Sequence, residues 1–415
     1  MFKKIWFYTH WLLGLVAGTV LIVVGVTGAA LSFEKEIMHL LNQKSYFVEV
    51  SDKERMSPDI LLNSFKEKMP DVKISSITIT ADSKASASIV IQDPNAPQAS
   101  GGGGHGRNTI TYMINPYNGE ILPQIEGRAF FRLMLDLHRR LMAGQVGKQI
   151  VAASTVALII LSLTGIYLYW GSIRKSLKNS LSVNFKAKGR GFLYKLHSAS
   201  ALWMLPFLLL ISLTGLYWSY EWYNEALYKV AGVEKPKRNM NQQPQTQQAN
   251  AQAQGGGRSS QESVERVSRS SKISSGPSSE DIAQAWSLFY NSVGHPYASV
   301  TLRMPVSGSK FEFSYLDEDE TNVRARNALS VDIKERKVLS HTRFDDKRFN
   351  EQIMSSILPL HSGEYFGIIG RIWAFLASFG MLLFSITGLM LYLDRRKKAL
   401  KKAALKAHMP EVAGN

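Results

Sequence analysis

The sequence contains no cysteine. That excludes disulfides, thiolate zinc sites, cysteine-ligated iron–sulfur clusters, a cysteine nucleophile and haem attachment through C-x-x-C-H. Any redox chemistry must use a cofactor held by other side chains. Hydrolytic signatures are missing too: there is no H-E-x-x-H, no Ser/His/Asp set and no convincingly spaced carboxylate pair. Charge is absent from four runs: Trp11–Phe33, Ile150–Trp170, Ala199–Tyr220 and Ile372–Leu393. Each has roughly 20 residues and, at about 1.5 Å per residue, matches a bilayer core of about 30 Å. The 45% hydrophobic content of the 415 residues is ordinary, so the segregation rather than the average carries the signal. A transporter would need ionisable groups near the bilayer midplane, which these runs lack.

What is present in excess is basic charge, Lys+Arg 49 against Asp+Glu 33 for a net +16. It concentrates where acids are scarce. Lys3 and Lys4 precede the first run. Arg174, Lys175, Lys178, Lys186, Lys188, Arg190 and Lys195 fill the segment between the second and third, which has no acid. Arg395, Arg396, Lys397, Lys398, Lys401, Lys402 and Lys406 follow the fourth. This is the positive-inside pattern rather than a nucleic-acid footprint, so no nucleic-acid partner is expected. Both termini and the 171–196 loop are expected in the cytoplasm, and 34–130 and 221–355 outside. The first run is longer than a signal-peptide core and lacks a clear cleavage site, so it is expected to stay.

The runs match in pairs. His10, Thr27, Gly28 and Glu34 recur as His197, Thr214, Gly215 and Glu221 at a constant offset of 187. His138, Gly144, Gly147, Lys148, Ser162, Thr164 and Gly165 recur as His361, Gly367, Gly370, Arg371, Ser385, Thr387 and Gly388 at an offset of 223. Every run ends in an apolar-Thr-Gly triplet. The pattern predicts two copies of a helix–external segment–helix unit. With the orientation above, His10 and His197 lie at the inner edge, and His138 and His361 on the outer side. Two histidines per face, one from each half, suit axial ligation of two b-type haems, which needs no cysteine. Gly28, Gly215, Gly165 and Gly388 would admit close approach. Lys148 and Arg371 are candidate partners for haem propionates. Taken singly, a border histidine is usually interfacial and a Thr-Gly pattern usually serves helix packing; four matched histidines favour ligation. His39 has no repeat partner and reads as a surface residue. His138 lies far from its run if the helix is continuous, unless the chain bends at Gly144/Gly147 and Gly367/Gly370.

The external segments repeat one order. A helix over Ile60–Met69 precedes strands Lys73–Thr80, Ala85–Gln92, Asn108–Asn115 and Glu120–Leu122. A low-complexity stretch, 236–277, reads as a disordered linker. Then a helix over Ser279–Ser292 precedes strands Ala298–Met304, Lys310–Leu316, Ala328–Ile333 and Lys337–His341. Gly101–Gly104 with His105 and Gly106 reads as a strand connection, not a phosphate loop, because no helix follows. His105, His295 and His341 read as scattered surface residues.

The span ends Leu-Thr-Gly-Ile-Tyr and Ile-Thr-Gly-Leu-Met, the Leu137-His138-Arg139 and Leu360-His361-Ser362 triplets, Asp332-Ile333, and Ile114-Asn115-Pro116-Tyr117-Asn118-Gly119-Glu120 together resemble the PepSY-associated transmembrane family. That family includes iron-regulated inner-membrane proteins and ferric-siderophore reductases. The resemblance implies a membrane α-helical fold, a four-helix bundle of two repeated halves carrying two small α+β, PepSY-like periplasmic domains. The expected division is 1–36, the first span; 37–130, a periplasmic domain; 131–172, the second span with its entry; and 173–196, a cytoplasmic loop. Then come 197–222, the third span; 223–355, the second periplasmic domain with its linker; 356–394, the fourth span; and 395–415, a basic tail. The implied activity is an inner-membrane b-haem oxidoreductase. It would take electrons from a cytoplasmic or quinol donor and reduce a periplasmic Fe(III) chelate such as a ferric siderophore. The alternative is a haem-free interaction module acting on an envelope protease or signalling partner.

Overall fold

The computed structural model describes residues 2–93, 109–236, 276–305, 308–320 and 322–407. The Gly101–Gly106 connection with His105, most of the 236–277 linker and the end of the basic tail lie outside them. Chain order begins with α1 (Phe2–Ser32), α2 (Glu34–Leu41), α3 (Gln43–Tyr46), α4 (Pro58–Lys68), β1 (Ile74–Thr80), β2 (Ala87–Gln92) and β3 (Thr109–Ile114). Next come α5 (Arg128–Arg140), α6 (Gly144–Lys175), α7 (Leu177–Leu181), α8 (Gly189–Ser219), α9 (Glu221–Ala231) and α10 (Ser279–Val293). The chain closes with β4 (Tyr297–Arg303), β5 (Lys310–Asp317), β6 (Asn327–Asp332), β7 (Lys337–Thr342), α11 (Phe349–Ser355), α12 (Ile357–Ser362) and α13 (Gly367–Ala407).

The four long helices α1, α6, α8 and α13 contain the four uncharged runs and are long and apolar enough to cross a membrane. They run alternately up and down and bury a seam of Ala17, Leu21, Ala157, Leu158, Leu208, Ile211, Ala377 and Met381. Small residues let α1 and α13 approach closely: a Cβ on Gly25 would lie 2.5 Å from the Ser378 carbonyl oxygen. The opposite faces leave Val16, Val26, Leu163 and Ile369 exposed. A helix satisfies its own backbone, so such faces are stable against lipid. The chain is a multi-pass membrane protein. Both bundle termini and the short 176–188 connection share the end opposite the sheet.

The strands fall where alternation placed them, except Glu120–Leu122, which makes only an isolated bridge between Ile121 and Ile114. The two expected small domains share a sheet. The strands form one seven-stranded antiparallel sheet in the order β3-β2-β1-β4-β5-β6-β7. The join is β1 with β4, from Ser76 opposite Arg303 to Thr80 opposite Ser299. At its centre Thr78 and Thr301 share a hydroxyl hydrogen bond of 2.9 Å, 223 positions apart. That is the same offset that relates His138 to His361. One core lies beneath: Leu61, Leu62 and Phe65 from α4 meet Ile282, Trp286 and Phe289 from α10 over Ile77, Ile89, Val300, Phe313 and Tyr315. Residues of both segments therefore contribute to a single buried core under the sheet.

His138 and His361 do not lie on continuations of the spans. α5 ends at Arg140, and the chain reverses through left-handed backbone at Leu141 (φ 51), Met142 (φ 57) and Gly144 (φ 56). Gly147 is required there, since a Cβ on it would sit 1.7 Å from the Arg140 carbonyl oxygen. A similar break separates α12 from α13 at Gly363 (φ 80) and Gly367 (φ 62), with Gly363 against Gly370. So α5 folds back against α1, and the distance problem disappears.

Candidate functional site: two facing histidine pairs

His10 on α1 and His197 on α8 face each other with ring centroids 6.4 Å apart and planes at 80°. His138 on α5 and His361 on α12 face each other at 6.2 Å and 68°. Seventeen residues of α1 separate His10 from Thr27, which touches His138, so the two pairs lie about 25 Å apart along the bundle.

Each imidazole is tied through Nδ1 to a threonine of a neighbouring helix. His10 meets Thr164 Oγ1 at 2.8 Å, and His197 meets Thr387 Oγ1 at 2.8 Å. His138 meets Thr27 Oγ1 at 3.2 Å, and His361 meets Thr214 Oγ1 at 3.0 Å. The direction of these bonds follows from counting protons. Every one of these hydroxyls donates to a carbonyl one turn back in its own helix: Thr164 to Ile160, Thr387 to Leu383, Thr27 to Val23 and Thr214 to Leu210, at 2.6–2.7 Å. A hydroxyl has one proton, so toward the histidine it accepts. Nδ1 therefore donates, and the lone pair sits on Nε2. His138 gives an independent check, because its Nδ1 also lies 2.9 Å from the Val24 carbonyl oxygen, which can only accept. Burial holds His138 below the ordinary histidine range, and burial beside His138 pushes His361 down to about 4. Both are thus neutral at pH 7, the form a metal ligand needs.

The four glycines stand against the same rings. A Cβ on Gly28 would come 3.0 Å from His138 Cε1; on Gly215, 3.3 Å from His361; on Gly165, 3.4 Å from His10; on Gly388, 3.7 Å from His197. Each Thr-Gly pair is thus a seat: the threonine fixes the ring and the glycine leaves it room. The sequence marked the glycines and passed over Thr27, Thr164, Thr214 and Thr387 as ligand-orienting groups. The recurring triplet was the signal that could have found them.

The His10/His197 pair opens on a cavity of about 680 Å³ lined by Gly14, Gly18, Ser162, Ser385, Gly165 and Gly388, together with Lys3, Arg190 and Arg395. Those cations were missed in the sequence because each sits in a basic run that reads as topology. Arg371 ion-pairs with Glu36, and Lys148 is half-buried near the start of α6. The other described histidines stand apart. His39 packs on Tyr46, His295 lies near Asp317, and His341 meets the Tyr315 hydroxyl at 2.6 Å.

The donor set can be tested against what it could hold. Two trans imidazoles need about 2 Å from metal to each nitrogen and about 1 Å more to each ring centre, close to 6 Å in all. Both pairs have that separation. Among the described residues no group of three or more His, Asp or Glu side chains is placed to hold a metal ion. Two nitrogens alone do not complete a zinc-like site. They would complete one in which the other four donors come from a macrocycle, and the apolar cavity at His10 and His197, with small and basic residues in its lining, would suit a flat body with acidic groups.

Residues 7–395 match the PepSY-associated TM region. The chain belongs to the PepSY-associated transmembrane family. The match spans both histidine pairs and the whole sheet. No curated protein matches the chain.

Proposed function

We propose that this family member is an inner-membrane b-haem electron conduit of two repeated halves, carrying electrons from the basic, cytoplasmic end of the bundle to an Fe(III) chelate on the periplasmic side. The observation that carries the reading is the common proton arrangement of the four histidines, each with Nδ1 held by a threonine and Nε2 left as the free lone pair. Surface or capping histidines have no reason to share one tautomer, one partner type and one facing distance.

When bound, haem b supplies a one-electron couple at each pair. The residues do the rest. His10/His197 and His138/His361 would hold its iron, their threonines would fix ring orientation, and Leu21, Leu158, Leu208 and Met381 would give the inner site apolar walls. Lys3, Arg190 and Arg395 would offer counter-charge to propionates at the inner site, and Lys148 would do so at the outer one, where Arg371 is already paired with Glu36. Electrons enter from a cytoplasmic or quinol donor. At the outer face one electron converts Fe(III) to Fe(II), a weaker Lewis acid that hard oxygen chelators hold less tightly. The choice of an iron chelate rests on the family resemblance.

The test is an absorption spectrum of the purified chain. We expect a reducible b-type spectrum with two haems per chain, halved in His197→Ala and abolished in the His197→Ala/His361→Ala double variant. A folded, colourless protein would overturn the conduit and leave the interaction module. Reoxidation of the reduced protein by a ferric chelate then tests the acceptor.

A further inference from the structure

The four uncharged runs do not reach equally far toward the sheet. A Cβ on Gly28 would meet both His138 and Ser378, so these residues share one depth. Beyond it α1 stays uncharged from Thr27 to Phe33, and α13 from Ser378 back to Ile372. α8 does the same from Thr214, which meets His361, to Tyr220. Each extension is six residues, about 9 Å. α6 has no such extension. Sixteen residues separate Lys148 from Thr164, which meets His10, and seventeen separate His10 from Thr27, so Lys148 stands near the same depth as His138.

The elbow between α5 and α6 therefore lies about 9 Å inside the plane where the other three spans meet charge. It carries three cations. Arg139 and Arg140 end α5, and the Arg140 carbonyl lies against Gly147, the neighbour of Lys148. Arg139 is exposed and Arg140 half-buried. Among the described residues no ion pair joins Arg139, Arg140 or Lys148 to a carboxylate, Asp136 one turn back included. The positive-inside pattern gives no reason for arginines at this end. Like charges crowded at such a depth are unfavourable unless an anion joins them. Beside them Met142 and Val146 are 59% and 68% exposed. Val146 and Ile150 open a stripe that runs down α6 through Ala153 and Val156 to Leu163, and so continue the lipid-facing side of the bundle.

We propose that the α5–α6 elbow holds an anionic phospholipid of the sheet-side leaflet, with its phosphate on Arg139 and Arg140 and its acyl chains along Met142, Val146 and Ile150. Arginine stems are long enough to reach from this depth toward the headgroups. Three cations against Asp136 alone leave the elbow positive, which repels a headgroup ammonium and favours a net-negative lipid over a zwitterionic one. The site requires the membrane but not haem.

The chain has no cysteine, so a single label reports a single place. Val146→Cys carries a bimane fluorophore, and the full chain is reconstituted in vesicles with brominated phosphatidylglycerol or brominated phosphatidylcholine as quencher. Phosphatidylglycerol is expected to outcompete phosphatidylcholine at this label at least fivefold. The preference should vanish in Arg139→Gln/Arg140→Gln. It should persist in Arg139→Lys/Arg140→Lys, which keeps the charge and gives the reading if the first variant fails to fold. A label at Leu339→Cys, on β7 of the sheet, should be quenched by neither lipid. Quenching at 146 as weak as at 339 would place the elbow in water and overturn the site. Equal quenching by the two lipids, or a preference unchanged by Arg139→Gln/Arg140→Gln, overturns the phosphate contact. Loss of the preference to inorganic phosphate, beyond that caused by sodium chloride at equal ionic strength, would show a simple anion site and overturn the lipid.

Discussion

His10 donates a hydrogen bond from Nδ1 to Thr164, and the Thr164 hydroxyl donates its own to the Ile160 carbonyl of the same helix. The pair is a one-way arrangement: the threonine has nothing left to donate, so the histidine has no alternative tautomer that keeps both bonds. A group that merely lined a helix interface would not need this.

Thr164→Val keeps the shape and removes the acceptor. Loss of a partner behind a ligating histidine typically costs 10–100-fold in affinity. We expect Thr164→Val to lower haem occupancy at the inner site alone and Thr164→Ser to retain it. Pyridine haemochrome content per protein and the redox titration of each haem read this out. Equal loss at both sites would count against a local role.

The four seat glycines should not be equally sensitive to alanine. Gly28→Ala meets His138 at 3.0 Å and the Ser378 hydroxyl at 3.2 Å, whereas Gly388→Ala meets only His197 at 3.7 Å. Overpacking of the first kind costs about 1–3 kcal/mol. A methyl with ordinary contacts inside a helix instead gains up to about 1 kcal/mol from propensity. The expected order of damage is Gly28, then Gly215 and Gly165, then Gly388, measured as thermal stability and spectral occupancy of each variant.

Phe289 is fully buried on α10, but the core it fills contains Leu62, Ile77 and Ile89 of the first segment. Phe289→Ala should cost about 3–5 kcal/mol. Hydrogen exchange should then quicken in β1 and β2 as well as in β4 and β5. Acceleration confined to β4–β7 would mean the halves are separate cooperative bodies.

Glu36 pairs with Arg371 where α2 meets the start of α13. Burial raises the Glu36 carboxyl, but hydrogen bonding and attraction to Arg371 outweigh it and hold the group below its ordinary value of 4.5. A depressed carboxylate contributes stability that is present above that ordinary value and lost as pH falls through the lowered one. The side chain is 42% exposed, so solvent screening keeps the contribution below about 1 kcal/mol. Glu36→Gln should lower stability slightly at neutral pH and leave a shallower decline on acidification below about pH 4.5, followed by thermal melting at a series of pH values.

Much of this was legible in the residues. Charge-free runs gave the spans, period-two alternation gave every regular strand, and two constant offsets paired the histidines. Three features were hidden for physical reasons. Alternation in β1 and β4 says which face is buried but not which strand is the neighbour, so one sheet and two sheets read alike. The reversal after α5 uses left-handed Leu141 and Met142, residues with no propensity for that backbone, held there by packing around Gly147. The threonine seats were visible as a repeat, but their role appears only when the histidine from another helix arrives.

The β1–β4 junction also governs how the chain must be made. Ile77 lies opposite Leu302, so the edge of β1 stays bare until more than two hundred further residues, and two further membrane crossings, have been produced. A half-finished molecule displays an open, alternating strand, the kind of template that recruits foreign strands. Synthesis of the first half alone should therefore yield a sticky, chaperone-dependent fragment, and co-expressing the two halves should rescue each other's solubility.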